Sequence, residues 1–121
     1  MAYDNNNIFA KILREEIPCK KIYEDDFVLS FYDINPQKKI HALVVPKGKY
    51  IDLDDFANNA TNDEIVGLIR GINIVAKKLN ISVDTGKGYR ALANISQHGG
   101  QEVPHLHFHL FGGESIGKMV Q

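Results

Sequence analysis

The segment His105–Leu110 alternates imidazole and apolar side chains without interruption. Because successive side chains of a β-strand point to opposite faces of a sheet, this alternation predicts a strand, and we extend it to Phe111. On such a strand the three imidazoles share one face, while the apolar side chains between them enter the core from the other face. The segment therefore predicts a sheet with one buried face and one face that carries a row of histidines.

The rest of the chain predicts an α+β domain with an antiparallel five-stranded sheet. A short N-terminal helix is expected over Ile8–Arg14, where apolar residues recur at helical spacing before Pro18 ends the segment. Asp52–Asn62 is predicted to be a polar connection with one helical turn at most. The acidic residues 24–26 predict a hairpin turn, and a loop is expected at Gly99-Gly100. The four remaining β-prone runs are Lys21–Tyr23, Phe27–Tyr32, His41–Val45 and Tyr89–Ile95.

One long central helix is predicted from a capping box and a continuous apolar stripe. Thr61 and Glu64 match the capping box. Gly67 and Gly71 lie inside the helix, and each costs about 1 kcal/mol relative to alanine. They indicate either a close approach by another element or plain tolerance. The apolar stripe consists of Ile65, Leu68, Ile69, Ile72, Val75, Ala76 and Leu79.

Composition restricts the class of protein. A chain of 121 residues with 44% hydrophobic content is large enough for one domain with a core, so residues 1–121 are predicted to form a single domain. Fourteen Lys and Arg against fifteen Asp and Glu give a net charge of −1, which argues against nucleic acid or a membrane surface as a partner. Cys19 is the single cysteine, so an internal disulfide is excluded. With a polar N-terminus and no long apolar stretch, we expect a soluble cytoplasmic protein.

The histidine row favours a functional interpretation, because histidine both binds anions and transfers protons near neutral pH. Metal binding is the rival chemistry. The outer Cα atoms of His105 and His109 would lie about 13 Å apart on a strand, whereas zinc requires each nitrogen at about 2.0–2.1 Å. Three histidines could share one ion only on a sharply bent strand. A site with two of them would need a further ligand, for which His41, His98 and Glu102 are candidates.

The run from His105 to Phe111 fits the signature His-φ-His-φ-His-φ-φ, where φ is apolar, and so resembles the histidine triad (HIT) family. Six further segments resemble the histidine triad nucleotide-binding proteins in the same order: Ile8-Phe-Ala-Lys-Ile, Glu15-Glu-Ile-Pro, Tyr32-Asp-Ile-Asn-Pro-Gln, His41-Ala-Leu-Val-Val-Pro-Lys, Lys87-Gly-Tyr-Arg and Gly99-Gly-Gln. The resemblance implies a HIT-like fold and a homodimer whose two sheets join into one. It also implies a purine nucleotide cleft on each subunit and hydrolysis of adenosine phosphoramidates without a metal or other cofactor.

The resemblance also implies roles for the histidines. The central residue, His107, corresponds to the nucleophile that takes the nucleotidyl group before water releases it as a monophosphate, AMP or GMP. His105 and His109 correspond to neighbours that stabilise charge in the transition state. His41 corresponds to the fourth histidine of the family, which aligns or polarises the row; without the resemblance it would be a surface residue at a strand end.

The same resemblance implies which residues bind the nucleotide. Asp33 corresponds to the ribose anchor, since one carboxylate accepts hydrogen bonds from both hydroxyls; otherwise it is a turn residue. Asn94 and the amides of Gly99, Gly100 and Gln101 are expected near phosphate, because glycine lets backbone N–H groups approach an anion. The base pocket is predicted to be lined by Ile8, Phe9, Ile12, Ile17, Phe31, Ile34 and Leu43.

Glu102 departs from the family pattern, in which a serine that assists the leaving group is common. An ionised carboxylate close to phosphate would repel it, so Glu102 is expected either to point away or to change the substrate preference. Three functions therefore stay open. They are a nucleotidyl hydrolase, a nucleotide-binding or scaffolding protein without turnover, and a metal-binding protein.

Overall fold

A computed structural model describes residues 2–119 of the chain as one antiparallel five-stranded sheet with helices on both faces, which confirms the predicted α+β class. Met1, Val120 and Gln121 of the predicted domain lie outside the described residues. Within residues 2–119, no helix combines the length and the apolar character that crossing a bilayer requires. The elements in chain order are α1 (Ile8–Leu13), β1 (Lys21–Glu24), β2 (Val28–Tyr32), β3 (Ile40–Pro46), α2 (Leu53–Asn59), α3 (Asn62–Lys78), β4 (Arg90–Leu92), α4 (Ser96–Gly99) and β5 (Phe108–Gly112).

The sheet has the strand order β1-β2-β3-β5-β4, and its two faces carry separate apolar clusters. On one face, Val28 and Val44 pack with residues of α2 and α3. On the other face, Leu29 and Leu43 pack with Phe9 of α1. Alternate residues of β2 and β3 thus face opposite clusters, as the pleat requires. The α1 face is the one that carries the histidines.

The predicted central helix is confirmed as α3, and its capping box is complete. The Thr61 side chain accepts a hydrogen bond from the Glu64 amide, and the Glu64 carboxylate accepts one from the Thr61 amide. Leu68 is buried as the apolar stripe predicts. Ile69 was expected on the same stripe, but 61% of its surface is exposed. Ile69 follows Leu68 by about 100°, which turns it out of the contact with the sheet.

Gly67 and Gly71 mark a close approach of α3 to the sheet of the same chain. A Cβ atom at Gly67 would lie 2.6 Å from the Cβ and Cγ atoms of Phe27, and one at Gly71 would lie 2.8 Å from a methyl group of Val28. The first of the two interpretations, close packing, therefore applies. The neighbours are the first residue of β2 and the residue before it, so the close approach lies within one chain.

The strand prediction over His105–Phe111 was wrong at its beginning. β5 starts at Phe108, and its ladder with β3 runs from Val44↔Phe108 to Ile40↔Gly112. Before that point the backbone is bonded elsewhere, because the His105 amide donates to the Val103 carbonyl and the next amide donates to the Tyr50 carbonyl. The alternation of side chains nevertheless persists, since residues 106 and 110 are buried in the α3 cluster.

Three segments differ from their predicted secondary structure: two contain helices, and one strand is shorter than expected. The predicted polar connection contains α2, a helix of seven residues whose N-terminus is capped by the Asp52 carboxylate. The expected loop at Gly99-Gly100 is the end of α4, and Gly100 closes it with a left-handed φ of 73°. The strand predicted over Tyr89–Ile95 is reduced to β4, because the chain leaves β5 after Leu92 to start α4. The structure therefore has four helices within residues 2–119, where two were predicted.

Candidate active site

Four of the five histidines converge at the α1 face of the sheet. His41 on β3 and His109 on β5 lie on neighbouring strands, and the His41 Nε2 atom is 2.9 Å from the His109 Nδ1 atom. The ring of His107 lies 5.1 Å from that of His109, centroid to centroid. His105 lies behind His107, with Phe9 of α1 against both rings.

The histidine cluster borders a cavity of about 380 Å³, a volume suited to a small ligand. A larger cavity of about 610 Å³ lies around Gly86–Gly88, but no histidine lines it. We therefore assign the candidate active site to the smaller cavity. Its lining consists of Phe9, Asp33, Asn35, Gln37, His41, Leu43, Asn94, Gly100, Glu102, Val103, His107 and His109.

The hydrogen bonds of His107 define which of its nitrogens can react. Its Nδ1 atom lies 2.7 Å from the main-chain oxygen of His105. Because a carbonyl oxygen only accepts, Nδ1 must carry the proton. In the neutral ring the lone pair then lies on Nε2. A neutral imidazole with its lone pair on the outer nitrogen is a nucleophile that needs no prior deprotonation.

The same reasoning assigns the protons of His41 and His109. The Gln37 amide donates to His41 Nδ1 at 3.1 Å, so the proton of the neutral His41 ring is on Nε2. His41 Nε2 then donates to His109 Nδ1, and the proton of the neutral His109 ring is on Nε2. His109 is thereby left as a hydrogen-bond donor through Nε2. The pair thus supplies a donor on the ring beside that of His107.

Burial keeps these rings neutral. Burial, together with the neighbouring His107 and His41 rings, lowers the pKa of His109 to about 4, against the opposing effect of Asp33. Burial also lowers the pKa of His107, against the opposing effects of the His105 carbonyl, Asp33 and Glu102, all of which favour the protonated ring. The pKa of His41 is lowered by burial as well, although Asp33 opposes this shift. At neutral pH the site therefore presents one lone pair and neutral N–H donors.

Asp33 lies beside His41, and both residues line the cavity. One carboxylate oxygen accepts a hydrogen bond from the Asn35 amide at 2.8 Å, and the other lies 3.5 Å from His41 Nε2. The Asp33 amide donates to the His41 carbonyl. The turn interpretation of Asp33 is therefore correct in its geometry. Asp33 nevertheless lines the cavity.

His105 is the one triad histidine that the structure does not bring to the cavity. Its side chain is fully buried, and both ring nitrogens are occupied: Nε2 donates to the Pro46 carbonyl at 2.8 Å, and Nδ1 bonds the Tyr3 hydroxyl at 2.5 Å. Burial lowers the pKa of His105 to about 4. The side chain has no nitrogen left for a phosphate, so the expected role as a flanking donor does not fit. What His105 offers His107 is its main-chain oxygen.

The predicted nucleotide-binding residues divide into three groups. Those that line the cavity are Asp33, Phe9, Leu43, Asn94 and Gly100. Those that pack in or against the α1 cluster behind the cavity are Ile12, Phe31 and Ile17. Those that lie elsewhere are Ile8, which is exposed, Ile34, with 86% of its surface exposed, and Gln101, whose side-chain NH2 group donates to the Ile51 and Val103 carbonyls. The main-chain amides of Gly99, Gly100 and Gln101, which were expected near phosphate, donate instead to the carbonyls of Ile95, Gln97 and Ser96.

Sequence reasoning missed three residues that line the cavity: Asn35, Gln37 and Val103. The first two stand in the segment Tyr32-Asp-Ile-Asn-Pro-Gln that carried part of the resemblance, so that segment held the available signal. Glu102 also lines the cavity and favours the protonated form of His107. Its place in the cavity lining argues against the first alternative, that Glu102 points away, and an effect of Glu102 on the substrate preference stays a prediction.

Asp33, His41 and His109 are spaced closely enough to hold a metal ion, with one potential ligand atom from each lying within 4.8 Å of the others. The hydrogen bonds argue against such an ion. A metal at His41 Nε2 would need the lone pair there, but Nδ1 already uses its lone pair to accept from the Gln37 amide. His41 could bind a metal through Nε2 and accept the Gln37 hydrogen bond through Nδ1 only if the ring lost its last proton. The donor set therefore fits a hydrogen-bonded pair better than a metal centre.

Comparison with known proteins decides the family. The HIT domain family matches residues 14–116, which include β1 to β5 and the whole histidine row. The chain belongs to the HIT family. This HIT protein is 51% identical over 118 residues to an uncharacterized 13.2 kDa HIT-like protein of Azospirillum brasilense, covering 98% of this chain and 94% of the relative. It is 40% identical over 113 residues to the purine nucleoside phosphoramidase of Escherichia coli, covering 93% and 92%.

Solved structures of HIT proteins share the whole fold. A histidine triad protein from Clostridium difficile superposes with a TM-score of 0.84 at 38% identity, covering 97% of this HIT protein and 98% of that chain. A HIT family hydrolase from Clostridium thermocellum gives 0.85 at 34% identity, covering 98% and 99%. The HIT-like fold implied by the sequence resemblance is thus confirmed.

Proposed function

We propose that this HIT protein hydrolyses purine nucleoside 5′-phosphoramidates of the adenosine type to the nucleoside monophosphate, through a nucleotidyl intermediate on His107. The observation that carries the proposal is the bond from His107 Nδ1 to the His105 carbonyl, which directs the lone pair of His107 to Nε2 at the cavity. The similarity to the phosphoramidase of E. coli supports the choice of substrate.

The cavity offers complementary groups for each part of a nucleotide. The free oxygen of Asp33 accepts from the ribose hydroxyls, and a charged acceptor makes stronger hydrogen bonds than a neutral one. Phe9, Leu43 and Val103 supply apolar surface for the base. The α-phosphate lies over His107, within reach of the Nε2–H group of His109.

The chemistry has two steps. His107 Nε2 donates its lone pair to the α-phosphorus, the bond from phosphorus to the amine nitrogen breaks, and the leaving nitrogen takes a proton from solvent. Water then attacks the same phosphorus and gives up a proton to solvent, the bond to His107 breaks, and the monophosphate is released. His109 donates a hydrogen bond to the developing charge, and His41 keeps His109 in the tautomer that can donate. Two substitutions at one phosphorus split a difficult hydrolysis into two easier steps.

The deciding experiment measures release of a fluorescent amine from an adenosine phosphoramidate after exhaustive chelation of the protein. Retained turnover supports the proposal, because neither step uses a metal. Binding of AMP without turnover would replace it with a nucleotide-binding protein. Loss of turnover that added zinc restores would assign the chemistry to a metal at Asp33, His41 and His109.

A further inference from the structure

Tyr3 makes a contact with the histidine row from outside the part of the chain that matches the HIT family, which begins at residue 14. Its hydroxyl lies 2.5 Å from Nδ1 of His105, across 102 residues of sequence. The two rings also pack edge to face, with centroids 5.6 Å apart. The segment that carries Tyr3 leads directly into α1, which places Phe9 against His107.

The direction of this hydrogen bond follows from the other side of the ring. Nε2 of His105 faces the Pro46 carbonyl, which only accepts, so Nε2 carries the proton of the neutral ring. Nδ1 is then an acceptor, and the Tyr3 hydroxyl must be its donor. Both nitrogens of a ring with no exposed surface are thereby satisfied, and the ring has one tautomer and one orientation.

We propose that Tyr3 is a positioning residue for the reaction: by holding the His105 ring, it holds the His105 main-chain oxygen that fixes the tautomer of His107. The inference rests on the proposed function only for its effect on turnover. The orientation itself is a property of the protein without substrate. Tyr3 does not line the cavity, so it acts on the nucleophile through His105 and does not touch the nucleotide.

Loss of the hydroxyl would free one nitrogen of a buried ring. The His105 Nδ1 atom would then lack a donor, and rotation of the ring toward another partner would shift the peptide whose oxygen accepts from His107 Nδ1. The His107 proton would then distribute over both nitrogens, and the fraction of molecules with the lone pair on Nε2 would fall. The net free energy of one hydrogen bond corresponds to a change in rate of a few-fold to about tenfold. We therefore expect kcat to fall roughly three- to tenfold. KM is expected to change less than twofold.

The test compares Tyr3→Phe with Tyr23→Phe. Both variants lose one tyrosine hydroxyl that has a hydrogen-bond partner, but Tyr23 bonds Asp25 in the β1–β2 hairpin and packs against the α3 cluster, on the face of the sheet opposite the histidines. Kinetics with the adenosine phosphoramidate give the separate effects on kcat and KM. Nitrogen-15 NMR of the imidazole rings at neutral pH reports the tautomers of His105 and His107 with no substrate present.

The expected result is a lower kcat and a mixed His107 tautomer in Tyr3→Phe alone. An unchanged kcat, or a kcat that falls equally in Tyr23→Phe, would overturn the proposal, as would a His107 ring that stays in the Nδ1–H form. If the wild type has no turnover, the proposed function fails, while the NMR comparison still decides the role of Tyr3. Should Tyr3→Phe not fold, the wild-type spectrum still tests the proposal: a proton on His105 Nε2 supports Tyr3 as the donor to Nδ1, and a proton on Nδ1 would overturn it.

Discussion

The Nδ1 atom of His107 lies 2.7 Å from the main-chain oxygen of His105. The first histidine of the row thus acts on the second through its backbone, while its own ring is turned away and held by Tyr3 and Pro46. The second and third histidines are the ones that reach the cavity. Three residues of one type, evenly spaced in the sequence, therefore have three different environments.

Replacement of His107 by glycine tests the nucleophile. Removal of the bond-forming atom is expected to lower turnover by roughly three orders of magnitude or more, while AMP binding stays measurable because Asp33 and His109 remain. Steady-state kinetics and calorimetric AMP binding give the two readouts. His98→Gly is the matched control, since His98 is exposed on α4 and does not line the cavity. Adenylate trapped on another histidine would refute the assignment.

Replacement of Asp33 by asparagine tests the ribose anchor. The amide keeps one acceptor but loses the charge, so the dissociation constant of AMP is expected to rise about tenfold, since hydrogen bonds to charged groups contribute roughly 1.5–3 kcal/mol. Calorimetry measures this change. Asp26→Asn, in the exposed hairpin turn, is the control and should leave affinity unchanged. Equal affinity in the Asp33 variant would remove this residue from the site.

The buried histidines predict a loss of stability in acid. An unfolded histidine titrates near 6.5, whereas the folded pKa of His105 is about 4, so the unfolded chain binds the proton first as the pH falls. The contribution of His105 to the free energy of unfolding is complete above about pH 6.5 and is lost progressively toward pH 4, by about 3 kcal/mol. Urea unfolding between pH 7.5 and 4 measures it. In His105→Gln the slope should be smaller; an equal slope would contradict the prediction.

The glycines of α3 predict a packing effect that opposes helix propensity. Gly67→Ala gains up to about 1 kcal/mol as a helix former, but its methyl group would overlap the Phe27 side chain. We expect a net loss of about 1–3 kcal/mol in the free energy of unfolding, the usual cost of overpacking. Asn73→Ala, at an exposed position of the same helix, should be neutral or stabilising. A Gly67 variant as stable as the wild type would show that Phe27 moves without cost.

We also expect a homodimer, as the family resemblance implies. The structure offers an exposed apolar patch on α3 where Val66, Ile69 and Ile74 have 49%, 61% and 36% of their surfaces accessible. Sedimentation equilibrium at micromolar concentration should give twice the chain mass of 13.6 kDa. Ile69→Glu should shift the protein toward monomer, whereas Val83→Glu, at an exposed apolar residue outside the patch, should not. A monomeric wild type would contradict the prediction.

The elements that could be predicted from the sequence are those whose causes are local. The capping box at Thr61 and the stripe through Leu68 and Val75 define α3, because each contact joins residues a few positions apart. The alternation of residue types also predicted correctly that residues 106 and 110 are buried in the core, although residue 106 lies before the first residue of β5. The quoted motifs carried the family assignment, because motif residues keep their order along the chain.

The environment of each histidine could be found only from the folded chain. The roles depend on single hydrogen bonds between residues far apart in sequence: 102 residues separate Tyr3 from His105, and 68 separate His41 from His109. No local pattern encodes which nitrogen of a ring meets a carbonyl and which meets a donor. The beginning of β5 also depends on hydrogen bonds that the sequence pattern does not show. The carbonyls of Val103 and Tyr50 accept from the amides of residues 105 and 106, which the alternation alone had assigned to a strand. Chemistry at a ring nitrogen is decided by its neighbours in space, and these exist only once the chain has folded.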